Sequence, residues 1–180
     1  MKLELKKANI DKIGIGLKKY NDIMNELYVS NVSTNTNFKR LYNHFYRMGR
    51  RSETYYALYF ELMESLKGKQ VNFSYVLDTI YSNTGRVEAS FASKLLATID
   101  PSKPVWDKFV LLNFKLKAPS YYASDRLTQV ANIYREIETH FNDNLETQQW
   151  LEELEKFDEL FPHNNLTPIK KADLIIWQMR

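Results

Sequence analysis

Apolar side chains recur at Ile10, Ile13, Leu17, Tyr20, Met24 and Leu27, three or four positions apart, so a single stripe of one helix carries all six. Gly14 and Gly16 interrupt that stripe, each at a cost of about 1 kcal/mol against alanine in a helix interior. They mark either a close helix contact or a later helix start. Residues 30–37 are rich in Ser, Thr and Asn, whose side chains compete for backbone hydrogen bonds and favour turns. This is the clearest loop. Two aromatic-rich helices follow, one through Phe38, Leu41, Tyr42 and Phe45, the other opened by Ser52 and carrying Tyr55, Leu58, Tyr59, Leu62 and Leu66 up to Gly68.

From Asn72 a shorter helix extends to about Tyr81, where residues 82–85, Ser-Asn-Thr-Gly, supply turn chemistry. The next helix holds Val87, Phe91, Leu95 and Leu96 and stops before Asp100-Pro101. Beyond Pro104 a helix through Phe109, Leu112 and Leu116 ends at Ala118-Pro119, because proline cannot continue it. Ser120 or Ser124 then caps a helix through Leu127, Val130, Ile133, Tyr134 and Ile137, and an acidic helix surrounds Trp150, Leu151, Leu154 and Phe157. Thr167-Pro168 gives an N-cap followed by proline at the first helical position, opening a helix that the pattern carries to Arg180. Its apolar face should dock, with Trp177 or its neighbours covered. No segment alternates at period two. The expectation is an all-α fold, a single helical domain over residues 1–180 with eight to nine helices.

Composition supports that picture without narrowing the function. An apolar fraction of 44% and a charged fraction of 26% are those of a chain that packs a core and solvates its surface. The absence of cysteine excludes a disulfide framework, a thiolate metal site and a cysteine nucleophile. No window approaches a membrane span and the start lacks the apolar run of a signal peptide, so a cytoplasmic protein without a membrane partner is expected.

Charge adds an asymmetry. Residues 1–50 carry ten Lys/Arg against four Asp/Glu, whereas residues 121–180 carry six against eleven. A polyanion could be drawn to the basic front, where Arg47, Arg50 and Arg51 cluster between the two aromatic helices; the plainer reading is two solvated faces of opposite sign. His44, His140 and His163 stand far apart, so no metal site and no cofactor is expected. The carboxylates Glu152, Glu153, Glu155, Asp158 and Glu159 read as the wet face of an amphipathic helix.

One stretch carries a hint of chemistry. A helix, the turn Asn83-Thr-Gly-Arg86, a second helix and then Pro104-Val-Trp-Asp-Lys-Phe-Val110 succeed one another. A turn between two helices can aim backbone N–H groups at a phosphate, and Asp107 follows as a carboxylate at the start of a third helix. The order resembles the helix-hairpin-helix DNA glycosylase superfamily, in particular its adenine-glycosylase-like branch, over residues 72–116. The motif residues are Gly85-Arg-Val-Glu-Ala-Ser-Phe-Ala-Ser-Lys-Leu-Leu96 and the Pro-Val-Trp-Asp segment. The resemblance implies DNA as partner, a base-excising enzyme with Asp107 as the catalytic carboxylate, and Thr84, Gly85 and Arg86 at the phosphates. Arg47, Arg50 and Arg51 would add neutralising charge.

The chain departs from the family in three ways. Gly85 stands alone where the family hairpin has two glycines. Val87 occupies the place of the Schiff-base lysine of bifunctional members, which leaves monofunctional chemistry unless Lys94 substitutes from the same helix. The family's iron–sulfur cysteines are missing. The other reading of these residues is a catalytically silent helical module that docks DNA or a protein, with Asp107 simply capping a helix.

Overall fold

The computed structural model describes residues 1–179. A 3-10 turn at Lys7–Asn9 leads into nine α-helices: α1 (Ile10–Leu27), α2 (Thr36–Phe45), α3 (Glu53–Leu66), α4 (Phe73–Thr84), α5 (Ala89–Ile99), α6 (Lys108–Asn113), α7 (Arg126–Leu145), α8 (Gln148–Leu160) and α9 (Pro168–Ile176). Among the described residues there is no β-strand. No described helix is long and apolar enough to cross a membrane.

Two helices form the interior. Residues 92–99 of α5 are buried without a break, and α9 is buried over most of its length, as expected of helices enclosed on all sides. Around them, α4 packs on α5 and α7, α3 on α5, and α1 on α2 and α9, while α9 also meets α6, α7 and α8. The aromatic helices α2 and α3 supply core, not surface: Phe38, Tyr42, Tyr59 and Phe60 are fully enclosed, and the Tyr42 and Tyr59 hydroxyls satisfy one another at 2.7 Å. Edge-on and tilted ring pairs, such as Tyr42 with Phe60 at 5.5 Å, complete this cluster.

Of the two glycines of α1, Gly14 marks a close contact. A Cβ at Gly14 would lie 3.3 Å from the Phe161 ring, and one at Gly16 would lie 3.7 Å from Leu174. The helix starts at Ile10 regardless, so neither marks a late start; Gly14 alone is at a tight approach, and a Cβ at Gly16 would make ordinary contact.

Helix ends depart from the sequence reading where local chemistry competes. The loop over residues 30–37 yields its last two positions to α2, whose N-cap Asn35 accepts from Phe38 N. α4 continues three residues beyond Tyr81, because Gly85 alone adopts the left-handed conformation that closes it, at φ +67°. Val87 falls in the turn and not in α5. α6 has only six residues; Lys115 takes φ +58°, so Leu116 lies outside it. Neither Ser120 nor Ser124 caps α7, whose N-cap is Asp125, without a side-chain capping bond. α9 ends at Ile176, and Arg180 lies outside the described residues. As expected, Thr167 caps this last helix and Trp177 packs edge-on to Phe45 at 5.4 Å.

The Pro-Val-Trp-Asp segment is extended and buried up to Trp106. Ser93 Oγ accepts from Trp106 N at 2.8 Å, and Pro104 O accepts from the Tyr134 hydroxyl at 2.8 Å, which fixes the segment between α5 and α7. At the chain start, residues 1–5 lie along α8. Gln149 answers both backbone groups of Leu3, Glu153 accepts from Leu5 N at 2.7 Å, and Trp150 Nε1 donates to Met1 O.

Candidate nucleic-acid interface

The segment between α2 and α3 and the turn between α4 and α5 are remote in sequence but adjoin in space. Arg50 takes φ +58°, a left-handed conformation uncommon for residues with a Cβ, and this bend carries the chain into Ser52, whose Oγ accepts from Tyr55 N. At the other segment, Thr84 Oγ1 donates to Ile80 O at 2.7 Å and accepts from Arg86 N at 3.2 Å, bracing the turn around Gly85. No atom lies within 4 Å of where a Gly85 Cβ would sit. The glycine is required by its positive φ and not by crowding.

Arg51 and Glu88 join the two segments. The guanidinium reaches both oxygens of the Glu88 carboxylate, at 3.1 and 3.2 Å. It lies over the Phe91 ring at 5.0 Å and the Tyr55 ring at 5.6 Å. Arg86 approaches the same carboxylate from the exposed side at 3.9 Å. Between the segments lies a groove of about 500 Å³ lined by Arg50, Arg51, Tyr55, Asn83, Thr84 and Arg86. Two polar atoms in it are buried without a hydrogen bond of good geometry: Arg51 Nε and the Tyr55 hydroxyl. Burial pushes the Tyr55 phenol up from its ordinary range, and Glu88 adds to this while Arg51 opposes it.

The remaining sequence candidates lie elsewhere. Asp107 is half-buried and caps α6, with Oδ1 accepting from Phe109 N at 2.8 Å. It lines neither this groove nor the one described below. Its electrostatic partner is Lys94, buried in the middle of α5. Lys94 Nζ donates to Tyr46 O at 3.1 Å and lies 5.1 Å over the Phe91 ring. Burial drives this ammonium below the usual lysine range; Asp107 and Asp173 pull it back, and Arg47 adds to the depression. Arg47 itself lies over the Trp177 ring at 5.9 Å, beside a cavity of about 230 Å³ that Lys12, Lys19 and His44 also line. The sequence candidates therefore divide into a groove set, Arg50, Arg51, Thr84 and Arg86 with Gly85 adjoining, and three residues outside it, Lys94, Asp107 and Arg47.

Composition gave no sign of the buried ion pair in α9. Lys170 Nζ meets Asp173 Oδ2 at 2.8 Å, and the ammonium lies over the rings of Tyr20, Phe45 and Tyr46 at 4.6, 5.6 and 5.7 Å. The available signal was the spacing: a Lys and an Asp three apart within a largely apolar helix can face each other. Among the described residues, no three His, Asp or Glu side chains come together in an arrangement that could hold a metal ion. The α8 carboxylates do not line the arginine groove.

No family model matches the chain, and neither a curated protein nor a solved structure resembles it significantly.

Proposed function

We propose that this helical protein binds nucleic acid, with the groove of Arg50, Arg51, Thr84 and Arg86 taking the phosphates, in keeping with the helix-hairpin-helix glycosylase resemblance of residues 72–116. The observation that carries this is convergence: two segments more than thirty residues apart place three arginines and a threonine hydroxyl around one cleft. Arg51 is held by Glu88, so part of its entropy cost is met before a ligand arrives. Phosphate contacts release counterions, so affinity must fall as salt rises. The test is fluorescence anisotropy with a labelled DNA duplex across a salt series. Arg50→Ala and Arg86→Ala should each lower affinity and reduce the slope of log K against log salt by about 1. Binding that ignores salt, or that survives both substitutions together, refutes the proposal.

Base excision by Asp107 is the second reading, and what favours it is that this half-buried carboxylate bears electrostatically on Lys94, buried in α5. In such a reaction the carboxylate stabilises positive charge on the sugar, or activates water, as the glycosidic bond breaks. Against it stands the position of Asp107, outside the arginine groove and engaged as a cap. Duplexes carrying mispaired, deaminated, oxidised or alkylated bases, incubated with wild type and Asp107→Asn, decide the matter. Abasic product from wild type alone establishes the enzyme. No product from any duplex leaves the binding module.

A further inference from the structure

Arg86 belongs to two grooves at once. One face closes the arginine groove, and the other walls a second groove of about 620 Å³ between the α4–α5 turn and the segment leading into α7, lined also by Tyr81, Glu88, Tyr121 and Arg126. The two grooves adjoin at Arg86. Their chemistry differs: the first has three arginines and one ring, Tyr55, whereas the second has Tyr81 and Tyr121 with Arg86 and Arg126, and Tyr122 stands next to it outside the lining. Tyr121 and Tyr122 stand 74% and 90% exposed, edge to face with centroids 5.3 Å apart, and Tyr81 is also exposed. Neighbouring rings left this bare forgo the burial that aromatic side chains ordinarily gain.

Each groove also holds a buried polar atom that makes no hydrogen bond of good geometry. In the first it is the hydroxyl of Tyr55, only 6% exposed, with Arg51 beside it. In the second, Arg126 lays its guanidinium 5.0 Å over the Tyr121 ring, and its buried Nε donates to nothing. Across both grooves four arginines face two carboxylates, Glu88 and Asp125. A ligand matching this path carries repeated negative charge and also flat rings free to stack. A duplex has the charge but hides its base faces; an unpaired polynucleotide offers both.

We propose that the two grooves together form a path for a single unpaired nucleic-acid strand, its phosphates meeting Arg50, Arg51 and Arg86 and its bases stacking on Tyr81, Tyr121 and Tyr122. This rests on the phosphate-binding reading of the first groove and adds the strandedness of the ligand. Arg126 acts at the stacking end, holding Tyr121 in place and adding positive charge there. The path prefers no sequence strongly, because every base has a face that stacks.

The test uses the full chain with fluorescein-labelled oligothymidylate and a blunt duplex of the same length, read by anisotropy. Two double variants are compared with wild type: Arg50→Ala with Arg86→Ala, and Tyr121→Ala with Tyr122→Ala. All four side chains are exposed, and an unchanged thermal midpoint checks that the fold survives. The single strand should bind at least about tenfold more tightly than the duplex, and the tyrosine variant should lose roughly tenfold or more of that affinity while its duplex affinity stays the same. The arginine variant should weaken both. Equal affinity for the two probes, or a tyrosine variant that still binds oligothymidylate like wild type, overturns the strand path; if the arginine variant still weakens both probes, the phosphate reading survives. Polyglutamate displacing the labelled strand as well as unlabelled oligothymidylate also overturns the path, in favour of an acidic peptide. No salt-sensitive binding to either probe overturns both proposals.

Discussion

The guanidinium of Arg51 meets the carboxylate of Glu88 at 3.1 Å and so ties the residue before the α3 N-cap to the N-cap position of α5. Both side chains are largely covered, at 23% and 16% exposure, so the pair is screened less than a surface bridge. Glu88→Gln keeps the shape and removes the charge. It should lower stability by about 1–2 kcal/mol, the value of a charge-assisted bond at a partly buried site. Urea unfolding measures this; an unchanged midpoint would mean that the strut contributes nothing to the fold.

Lys170 and Asp173 give a second prediction, with opposite outcomes for one substitution and for two. Both are buried within α9, and the ammonium is enclosed by Tyr20, Phe45 and Tyr46. Asp173→Ala leaves that charge without its carboxylate and should cost about 3–5 kcal/mol. Replacing both, as Lys170→Met with Asp173→Leu, removes the buried charges together and should recover most of the loss, because a well-packed apolar pair is often as stable as a buried ion pair. Thermal and urea unfolding of wild type and the two variants measures both outcomes. A double variant as damaged as the single one would show that the pair is needed for more than its charge.

How far the sequence went depends on which interactions decide each feature. The long stripe from Ile10 to Leu27 and the Thr167-Pro168 cap are local, and both stand where their patterns put them. Gly85 was legible as a turn for the same reason, since only its positive φ closes α4 there. Misplaced ends, such as Val87 outside α5 and Leu116 outside α6, come from competition between capping chemistry and periodicity over one turn. Site residues behaved likewise. That Arg50, Arg51 and Arg86 share a groove follows from α3 packing on α5, a long-range contact with no sequence signature. Tyr121 and Arg126 lie in a stretch whose loop character was clear, but nothing in its spacing said which residues it would face.

The N-terminal strap should respond to acid. Burial raises the Glu153 carboxyl, but the Lys156 ammonium at 2.8 Å and the Leu5 N–H at 2.7 Å outweigh it and hold the group below its ordinary range. A carboxyl depressed in the folded state stabilises above its unfolded pKa, and that contribution is lost as pH falls through the folded value. Glu153→Gln should therefore be less stable than wild type at neutral pH, with a smaller gap at acid pH, below the ordinary carboxyl range. Urea unfolding at the two pH values checks it; a gap that does not change with pH would exclude Glu153 as the acid-sensitive group.

Asp107 can be divided into its two roles by comparing substitutions. As the N-cap of α6 its oxygen accepts from Phe109 N, and as a charge it counteracts the burial of Lys94. Asparagine caps nearly as well as aspartate, so Asp107→Asn removes the charge and keeps the cap, whereas Asp107→Ala removes both and should cost about 1 kcal/mol more. The charge is read through pH. Burial pushes Lys94 below its ordinary 10.5, so between its folded and unfolded values the unfolded chain binds more protons and stability rises with pH. Lys94→Met cannot titrate; it leaves the Tyr46 carbonyl without its donor, a cost independent of pH. Relative to wild type, Lys94→Met should thus stand best at neutral pH and lose ground as pH climbs toward 10.5. Asp107→Asn should deepen the neutral-pH penalty in wild type and leave the Lys94→Met background unaffected apart from its small capping change. Urea unfolding of the four proteins at neutral pH and about pH 10 measures the coupling. If Asp107→Asn costs the same with and without Lys94, the two charges are not partners, and base excision by this carboxylate loses the pairing that favours it.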